Sequence, residues 1–141
     1  MACIFCDIIQ HKLPADVVYE NETTLAFLDI RPLFPGHVLI VPKTHYETIW
    51  DIPDQLLTDV MSSAKLLSVA VKSATLADGI FMANNNIVSQ SVPHFHIHII
   101  PRKKKDGLKG FFWPRMPYPS DAHKADMKDK IIAALHQVDP G

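Results

Sequence analysis

Three histidines alternate with apolar residues in the second half of the chain, at His94, His96 and His98. Successive side chains on a β-strand point to opposite faces, so the three imidazoles are expected to share one face of a strand. Like charges lower one another's pKa, and the central ring is therefore expected to stay neutral. A neutral imidazole can attack an electrophile, which makes His96 a candidate nucleophile.

Two other interpretations of this histidine motif stay open. A solvated sheet face can carry histidines that have no function, although three in strict alternation favour a site. A metal ion bound by all three is the other alternative. Same-face neighbours on a strand lie about 7 Å apart, a spread that suits a substrate better than a single ion. We therefore rank the substrate site first.

The histidines need a scaffold, and short apolar stretches separated by turn residues predict a β-sheet. Strands are predicted at residues 16–20, 24–29, 37–41, 79–84 and 93–101. Turn residues follow the first of these strands, and prolines bracket the last one. This pattern predicts a mainly antiparallel sheet of five strands.

One long amphipathic helix is predicted to begin after Pro53 and to end near Thr75. Its apolar residues recur at helical spacing; they are Leu56, Val60, Ala64, Leu67 and Val71. A short helical turn is predicted over residues 3–10, and Ser120 is predicted to cap a C-terminal helix. The fold class is therefore α+β, a five-stranded antiparallel sheet with one long helix and a C-terminal helix.

The composition is ordinary for a soluble globular protein: of 141 residues, 48% are hydrophobic and 21% are charged. A formal net charge of −1 gives no reason to expect nucleic acid or an acidic membrane as partner. No signal peptide or transmembrane stretch is recognisable, so we expect a cytoplasmic protein. We expect one domain over residues 1–141, with its core at about 3–102 and an extension at 103–141.

The motif His-Phe-His-Ile-His-Ile-Ile resembles the signature of the histidine triad family. Three further segments resemble the other blocks of that family and occur in family order: 3–9, 26–30 and 35–45. The resemblance covers about residues 3 to 102. It implies an enzyme that hydrolyses a nucleotide at its α-phosphate.

The resemblance assigns catalytic roles to four histidines. His96 attacks the α-phosphorus and forms a nucleotidyl-imidazole intermediate, which water hydrolyses. His98 contacts the phosphate, His37 is a polar contact beside the nucleophile, and His94 completes the triad. A main-chain carbonyl near the third histidine is expected to fix the tautomer of His96 by a hydrogen bond to its other ring nitrogen.

The resemblance also assigns nucleotide contacts. Asp29 is the acceptor for the ribose hydroxyls. An apolar slot for the base is formed by Phe5, Ile8, Phe27 and Ile30, although Phe27 fits an ordinary core residue nearly as well. Contacts to phosphate, sugar or leaving group are assigned to Asn84, Gln90, Ser91 and Val92. Family members usually carry glycines where this chain has Asn86 and Ser89, and Asn86 is expected to adopt left-handed backbone there.

A zinc site is a further expectation from the resemblance. Cys3 and Cys6 form an incomplete motif, because a tetrahedral site needs four ligands. Some members of the superfamily complete such a pair with two histidines, which correspond here to His45 and His94. The zinc would be structural and not required for catalysis. The alternative is two reduced thiols packed near the N-terminus.

These assignments lead to a hydrolase for purine nucleoside 5′-phosphoramidates or aminoacyl adenylates, acting as a homodimer. The alternative enzyme is a diadenosine polyphosphate hydrolase, since Pro101-Arg102 is similar to that branch of the family. The alternative from another class is a non-catalytic nucleotide sensor, which would bind AMP and form no covalent nucleotide. Trp113 is expected to cover the nucleotide or to contact a second subunit.

Overall fold

The structure, a computed structural model, describes residues 2–108 and 115–138. The chain divides into two compact units, one up to Asp106 and one from Gly107 onward, and each is described by itself. The division lies close to the predicted end of the core at about residue 102. That residues 1–141 act as a single domain stays a prediction. The role expected for Trp113 falls outside the described residues.

The first unit is built on a five-stranded sheet in which every pair of neighbouring strands is antiparallel. The strand order across the sheet is β1-β2-β3-β5-β4. The strands are β1 (Val17–Glu20), β2 (Thr24–Leu28), β3 (Val38–Pro42), β4 (Gly79–Ala83) and β5 (Ile97–Arg102). The predicted α+β fold is confirmed, with all five strands close to their expected positions.

Two helices cover opposite faces of this sheet. The long helix α2 (Asp54–Thr75) follows Pro53, as predicted, and buries Val60, Ala64, Leu67 and Val71. These side chains pack on the sheet face that carries Ala26, Val38, Ile40, Ile97 and Ile99. The short helix α1 (Ile4–Ile9) confirms the helical turn predicted near the N-terminus, and its Phe5 packs on the other face.

The second face of the sheet is the one that carries the histidines. Leu25, Phe27, Leu39 and Val41 lie on it, because side chains alternate along β2 and β3. In β5, Ile97 and Ile99 point toward α2. By the same alternation His98 points away from α2 and toward α1. The scaffold therefore places the histidine face under a short helix that carries apolar residues.

The last strand begins later than predicted. β5 starts at Ile97, so His94 and His96 lie before it and do not share its ladder. Local hydrogen bonds replace the ladder there: the His94 N–H donates to the Val92 carbonyl and the Phe95 N–H to the Tyr46 carbonyl. The prediction that all three histidines stand on one strand is therefore wrong.

The described part of the second unit contains helix α3 (Asp121–Val138). The Ser120 hydroxyl accepts a hydrogen bond from the His123 N–H at 3.1 Å, which confirms the predicted cap. No residue of α3 is buried. Among the described residues, no helix has both the length and the apolar character required to cross a membrane.

Candidate active site

A cavity of about 520 Å³ lies between α1, β2 and the histidine motif. Nine of the residues predicted for catalysis and nucleotide binding line this cavity: Phe5, Ile8, Phe27, Asp29, Ile30, Ser91, Val92, His96 and His98. A tenth, His37, is hydrogen-bonded to His98. The remaining three, His94, Asn84 and Gln90, lie behind or beside its wall. The cavity is therefore the candidate active site.

The tautomer of His96 follows from one hydrogen bond. Its Nδ1 lies 2.7 Å from the carbonyl oxygen of His94. A carbonyl oxygen can only accept, so Nδ1 must carry the proton and Nε2 must hold a free lone pair. The ring lines the cavity, which offers the unprotonated nitrogen of His96 to a ligand there. The carbonyl that fixes the ring belongs to the first histidine of the motif, not to a residue near the third as predicted.

A second chain of hydrogen bonds fixes the tautomer of His98. The Leu33 N–H donates to Nδ1 of His37 at 3.2 Å, which leaves the proton of His37 on Nε2. That Nε2 lies 2.9 Å from Nδ1 of His98 and donates to it. The proton of neutral His98 is therefore on Nε2. His98 offers an N–H donor, whereas His96 offers a lone pair.

Burial keeps these imidazoles neutral. Burial, together with the neighbouring His96 and His37, lowers the pKa of His98 to about 4, against the raising effect of Asp29. Burial also lowers the pKa of His96, against the opposing effect of the hydrogen bond to the His94 carbonyl. The pKa of His37 is lowered by burial despite the nearby Asp29 carboxylate. At neutral pH the site therefore contains uncharged rings, as the sequence predicted for the central one.

Asp29 lies at the end of β2 and lines the cavity. One carboxylate oxygen accepts the Arg31 N–H at 2.8 Å, which fixes the side chain. The other lies 3.6 Å from Nε2 of His37. The carboxylate retains lone pairs for further donors, because each oxygen can accept more than one hydrogen bond.

The apolar side of the cavity is formed by the residues predicted to hold a base. Phe5 and Phe27 are buried and meet edge to face, with ring centroids 5.4 Å apart. Phe5 also meets the His96 ring edge-on at 5.1 Å. Ile30, by contrast, is 86% exposed and stands at the rim. Phe27 belongs both to the core and to the cavity wall. Its position therefore fits a core residue and also a residue of the predicted base slot.

Two predicted nucleotide contacts have other partners in this structure. The Asn84 amide donates to the His96 carbonyl at 2.8 Å and does not line the cavity. The Gln90 amide donates to the Glu47 carbonyl at 2.6 Å and accepts the Ile87 N–H at 3.0 Å. Both side chains hold the loop in place. Direct contact of Asn84 or Gln90 with a ligand stays a prediction.

The loop between β4 and the histidines contains left-handed backbone at two residues, of which Ser89 is a position where family members usually carry glycine. Ile87 has φ of 72° and Ser89 has φ of 62°. Asn86 is not left-handed, so the expectation for that residue is wrong. A positive φ at a β-branched residue such as Ile87 is strained and persists only where the surroundings impose it.

The residues predicted to bind zinc come together behind the cavity. The four ligand atoms of Cys3, Cys6, His45 and His94 all lie within 4.8 Å of one another. Nδ1 of His94 lies 3.4 Å from the Cys3 sulfur, 3.6 Å from the Cys6 sulfur and 3.1 Å from Nδ1 of His45. Ligand atoms of a tetrahedral zinc site are separated by about 3.3–3.8 Å. The separations fit such a site.

The protonation of His94 fits a metal as well. Its Nε2 lies 2.9 Å from the Pro42 carbonyl, which can only accept, so Nε2 carries the proton. Nδ1 therefore presents its lone pair to the two sulfurs. Burial lowers the pKa of His94 to about 4, against the hydrogen bond to Pro42. Burial and the neighbouring Cys3 raise the pKa of the Cys6 thiol to about 11, so a bound metal would displace its proton.

A second group of potential metal ligands consists of Asp29, His37 and His98. This group does not suit a metal, because the Leu33 N–H occupies the Nδ1 lone pair of His37. The remaining proton of His37 then lies between the two rings, where a metal would have to bind. His94 belongs to one group and His98 to the other. The alternative of one ion held by all three motif histidines is therefore not supported.

The sequence model of the HIT domain matches residues 10–105. The chain belongs to the HIT family. An uncharacterized HIT-like protein of Methanocaldococcus jannaschii is 47% identical over 107 residues, covering 74% of this chain and 82% of that protein.

Further relatives of this HIT chain agree with that assignment. The adenosine 5′-monophosphoramidase HNT1 of Saccharomyces cerevisiae is 44% identical over 108 residues, covering 76% of this chain and 67% of that protein. A crystal structure of a histidine triad nucleotide-binding protein from Candida albicans superposes with a TM-score of 0.83 at 33% identity. That match covers 98% of this chain and 100% of the other.

Two contributors to the HIT site were missed by sequence reasoning. Leu33 acts through its main-chain N–H, which sequence does not reveal because every residue except proline has one. Asn86 was considered only for its backbone, yet its side chain joins Asn84 to the Ile49 N–H. The run of three asparagines at 84–86 was a signal for side-chain bonding in this loop.

Proposed function

We propose that this protein is a purine nucleotide hydrolase that cleaves nucleoside 5′-phosphoramidates or aminoacyl adenylates through a nucleotidyl intermediate on His96. The observation that carries the proposal is the hydrogen bond from Nδ1 of His96 to the His94 carbonyl at 2.7 Å. It fixes the proton on Nδ1 and directs the reactive nitrogen away from the main chain, while burial keeps the ring neutral. A ligand-binding protein would not require a nucleophile fixed in this way.

In the first step, Nε2 of His96 attacks the α-phosphorus. A bond forms between phosphorus and nitrogen, and the bond from phosphorus to the leaving group breaks. The leaving amine or carboxylate departs with the electron pair of that bond, and an amine takes up a proton. In the second step, water attacks the same phosphorus, releases the nucleoside monophosphate and restores His96.

His98 stabilises the charge that develops on the phosphoryl oxygens. Its Nε2 carries a hydrogen because His37 occupies its other nitrogen. Hydrogen-bond donors that are fixed before the reaction stabilise such charge without reorganisation and typically contribute a few kcal/mol. His98 therefore serves as a donor while remaining uncharged itself.

The nucleoside half of the substrate occupies the apolar side of the cavity. Phe5, Ile8 and Phe27 hold the purine base by apolar contact. Asp29 accepts the ribose hydroxyls through the oxygen that is not bound to the Arg31 N–H. A relative of 44% identity is named an adenosine 5′-monophosphoramidase, which supports this choice of substrate class.

The proposal includes a structural zinc ion held by Cys3, Cys6, His45 and His94. Zinc would supply a cross-link between α1, which carries Cys6 and the base-binding Phe5, and the segment that carries the nucleophile. His94 would then serve both the metal site and the nucleophile, since its ring faces the two sulfurs and its carbonyl fixes the ring of His96. No chemical step requires the metal.

Homodimerisation is also part of the proposal. Exposed apolar side chains along α2, such as Leu66 at 53% and Val69 at 64% exposure, offer a surface for a second copy. Light scattering coupled to gel filtration tests this point, and a monomeric mass at micromolar concentration would remove it. Cytoplasmic location and the absence of nucleic acid partners stay predictions.

The function is tested by steady-state hydrolysis of an adenosine 5′-phosphoramidate, with diadenosine polyphosphates measured in parallel. We expect the wild type to prefer the phosphoramidate and His96→Ala to lose at least about 10³-fold in kcat. His123→Ala, an exposed histidine of α3, is the matched control and should match the wild type. Full activity in His96→Ala would contradict the mechanism.

Other outcomes of the same assay select among the alternatives. Faster hydrolysis of a diadenosine polyphosphate would assign the protein to that enzyme class. Binding of AMP without turnover of either substrate would favour the alternative that the protein is a non-catalytic nucleotide sensor. Asp29→Asn should raise KM for the ribonucleotide and leave KM for the 2′,3′-dideoxy analogue nearly unchanged, because only the former offers hydroxyls to the carboxylate.

A further inference from the structure

Two asparagine side chains connect the nucleophile to a distant loop. The Ile49 N–H donates to the Asn86 oxygen at 2.7 Å. The Asn86 amide nitrogen donates to the Asn84 oxygen at 2.6 Å, and the Asn84 amide nitrogen donates to the His96 carbonyl at 2.8 Å. These three hydrogen bonds form one continuous chain from the 45–50 loop to the main chain of His96.

The donor-to-acceptor direction of these three hydrogen bonds is fixed at both ends of the series. It begins at a main-chain N–H, which can only donate, and it ends at a main-chain carbonyl, which can only accept. Each amide must therefore present its oxygen toward Ile49 and its nitrogen toward His96. Reversing either amide would place two donors or two acceptors against each other.

These hydrogen bonds end on a different part of His96 from the one that fixes its ring. The ring is held by the His94 carbonyl, and the main chain is held by Asn84. His96 lies just before β5, outside the paired residues of the sheet. The Asn84 amide constrains its carbonyl, in addition to the bond from the neighbouring Phe95 N–H to the Tyr46 carbonyl.

An independent observation supports a functional conformation of this segment. Ile87 and Ser89, directly after Asn86, have φ of 72° and 62°. Left-handed backbone at such residues costs about 1–3 kcal/mol each and persists where other contacts impose it. The side chains of Asn86 and Gln90 bracket these residues and bind the 45–50 loop, at Ile49 and Glu47.

We propose that Asn84 and Asn86 form an amide relay that positions His96 for attack, with Asn84 acting through the backbone of the nucleophile and not on the nucleotide. Both are positioning residues. The proposal rests on the proposed function, since it concerns the same nucleophile. It differs from the resemblance-based assignment, in which Asn84 touches phosphate or sugar.

Asn86 separates the two explanations of Asn84. Asn86→Asp keeps an acceptor for the Ile49 N–H but places a carboxylate oxygen against the Asn84 oxygen, which breaks the relay. Because Asn86 does not line the cavity, this change leaves all nucleotide contacts in place. Asn84→Asp breaks the relay at the next link, against the His96 carbonyl. Asn85→Asp adds the same charge between them and, having no part in the relay, is the matched control.

The first measurement is kcat and KM for the adenosine 5′-phosphoramidate in the three variants. We expect Asn84→Asp and Asn86→Asp to lower kcat by about tenfold or more, because misplacement of a reacting group by about 1 Å can cost 10²-fold. KM should change less than about twofold, and the double variant should lose no more than the worse single variant. Asn85→Asp should match the wild type.

The second measurement needs no activity. Nitrogen-15 spectra of the histidine rings report the tautomer of His96 and the exchange of its Nδ1 proton with water. Asn84→Asp and Asn86→Asp should speed that exchange, and Asn85→Asp should not. Thermal unfolding of each variant shows that all remain folded, and Asn86→Ala replaces Asn86→Asp if the latter does not.

The results separate failure of the relay from failure of the proposed function. No turnover by the wild type would end the proposed function, while the ring spectra would still test the relay. An Asn84→Asp variant with raised KM beside an unaffected Asn86→Asp would overturn the relay in favour of direct substrate contact. Equal effects of Asn85→Asp and Asn86→Asp would also overturn it, since charge alone would then explain them.

Discussion

In the part of the chain that the structure describes, two groups of potential metal ligands each contain a pair of histidines but have opposite properties. Each places two histidine rings side by side with acidic or thiol partners, within 4.8 Å. Behind the cavity, the Pro42 carbonyl directs the lone pair of His94 toward two sulfurs. At the cavity, the Leu33 N–H directs the proton of His37 toward His98. One main-chain group in each case decides the outcome.

This difference shows how ring tautomers separate histidines that suit a metal from histidines that suit a bound ligand. Where lone pairs converge on thiol groups, a metal cation can replace the thiol protons, and the group suits zinc. Where a donor faces an acceptor, the group is complete in itself and its outermost N–H is available to a ligand. Both groups contain two histidines within 4.8 Å of their partners, so neither the presence of histidines nor their proximity identifies the metal site.

The largest effect that would separate the two groups concerns zinc content. Wild-type protein should contain one zinc per chain, and Cys6→Ser should lose it together with several kcal/mol of stability, because a structural metal contributes folding free energy. His37→Asn, in the other group, should keep one zinc per chain. Elemental analysis and thermal unfolding measure both. Two zinc ions per wild-type chain, or zinc loss in His37→Asn, would contradict the claim that zinc binds to the cysteine-containing group and not to the group with His37.

The next effect concerns catalysis. His98→Phe removes the N–H donor and should lower kcat by about 10²–10³-fold. His37→Phe removes only the partner that fixes the tautomer of His98, so its loss should be smaller, about tenfold. Zinc content should stay at the wild-type level in both variants. Steady-state kinetics measure kcat in the two variants. A larger loss of kcat in His37→Phe than in His98→Phe would contradict the proposal that His37 acts through His98.

The backbone before His37 gives a smaller effect. Gly36 has φ of 98°, and a Cβ there would lie 2.6 Å from Cγ2 of Thr75. Gly36→Ala should therefore reduce the free energy of unfolding by about 2 kcal/mol or more through left-handed strain and steric overlap. Gly79→Ala is the control, because nothing lies within 4 Å of its Cβ. Denaturant unfolding compares the two, and equal losses would show that Gly36 is not special.

The smallest effect is the pH dependence of stability that His98 contributes. Burial and the neighbouring His96 and His37 lower the pKa of His98 to about 4 despite the nearby Asp29, whereas an unfolded histidine titrates near 6.5. Between these values the unfolded state binds more protons, so the free energy of unfolding decreases as pH falls from 6.5 to 4. His98→Gln should weaken this dependence, measured by denaturant unfolding at pH 7 and pH 5. The exposed His123→Gln should not weaken it.

The alternation of side chains made much of this arrangement predictable. Five strands, the long helix and the apolar stripe of α2 followed from spacing and turn residues. The resemblance placed Asp29, Phe5 and His96 in one site, and the cavity contains all three. The alternation of side chains continues before the paired residues of β5 begin, because His96 lies on the same face as His98 although it precedes the strand.

The parts that sequence could not predict depend on main-chain groups and loop conformation. The start of β5 was misplaced because hydrogen bonds from His94 and Phe95 to loop carbonyls compete with strand pairing. The left-handed residues of the loop are Ile87 and Ser89 and not Asn86, and the Asn86 side chain instead accepts the Ile49 N–H. Tautomers depend on such contacts as well, and no pattern of residue types encodes them.

The central claim is that Nε2 of His96 forms a covalent bond to the α-phosphorus. Rapid acid quench of the reaction, followed by intact-protein mass spectrometry, tests it most directly. We predict a transient mass increase equal to one nucleoside monophosphate group, located on the peptide that contains His96 and absent in His96→Ala. Multiple turnovers with no adduct in the wild type, or an adduct that persists in His96→Ala, would contradict the account.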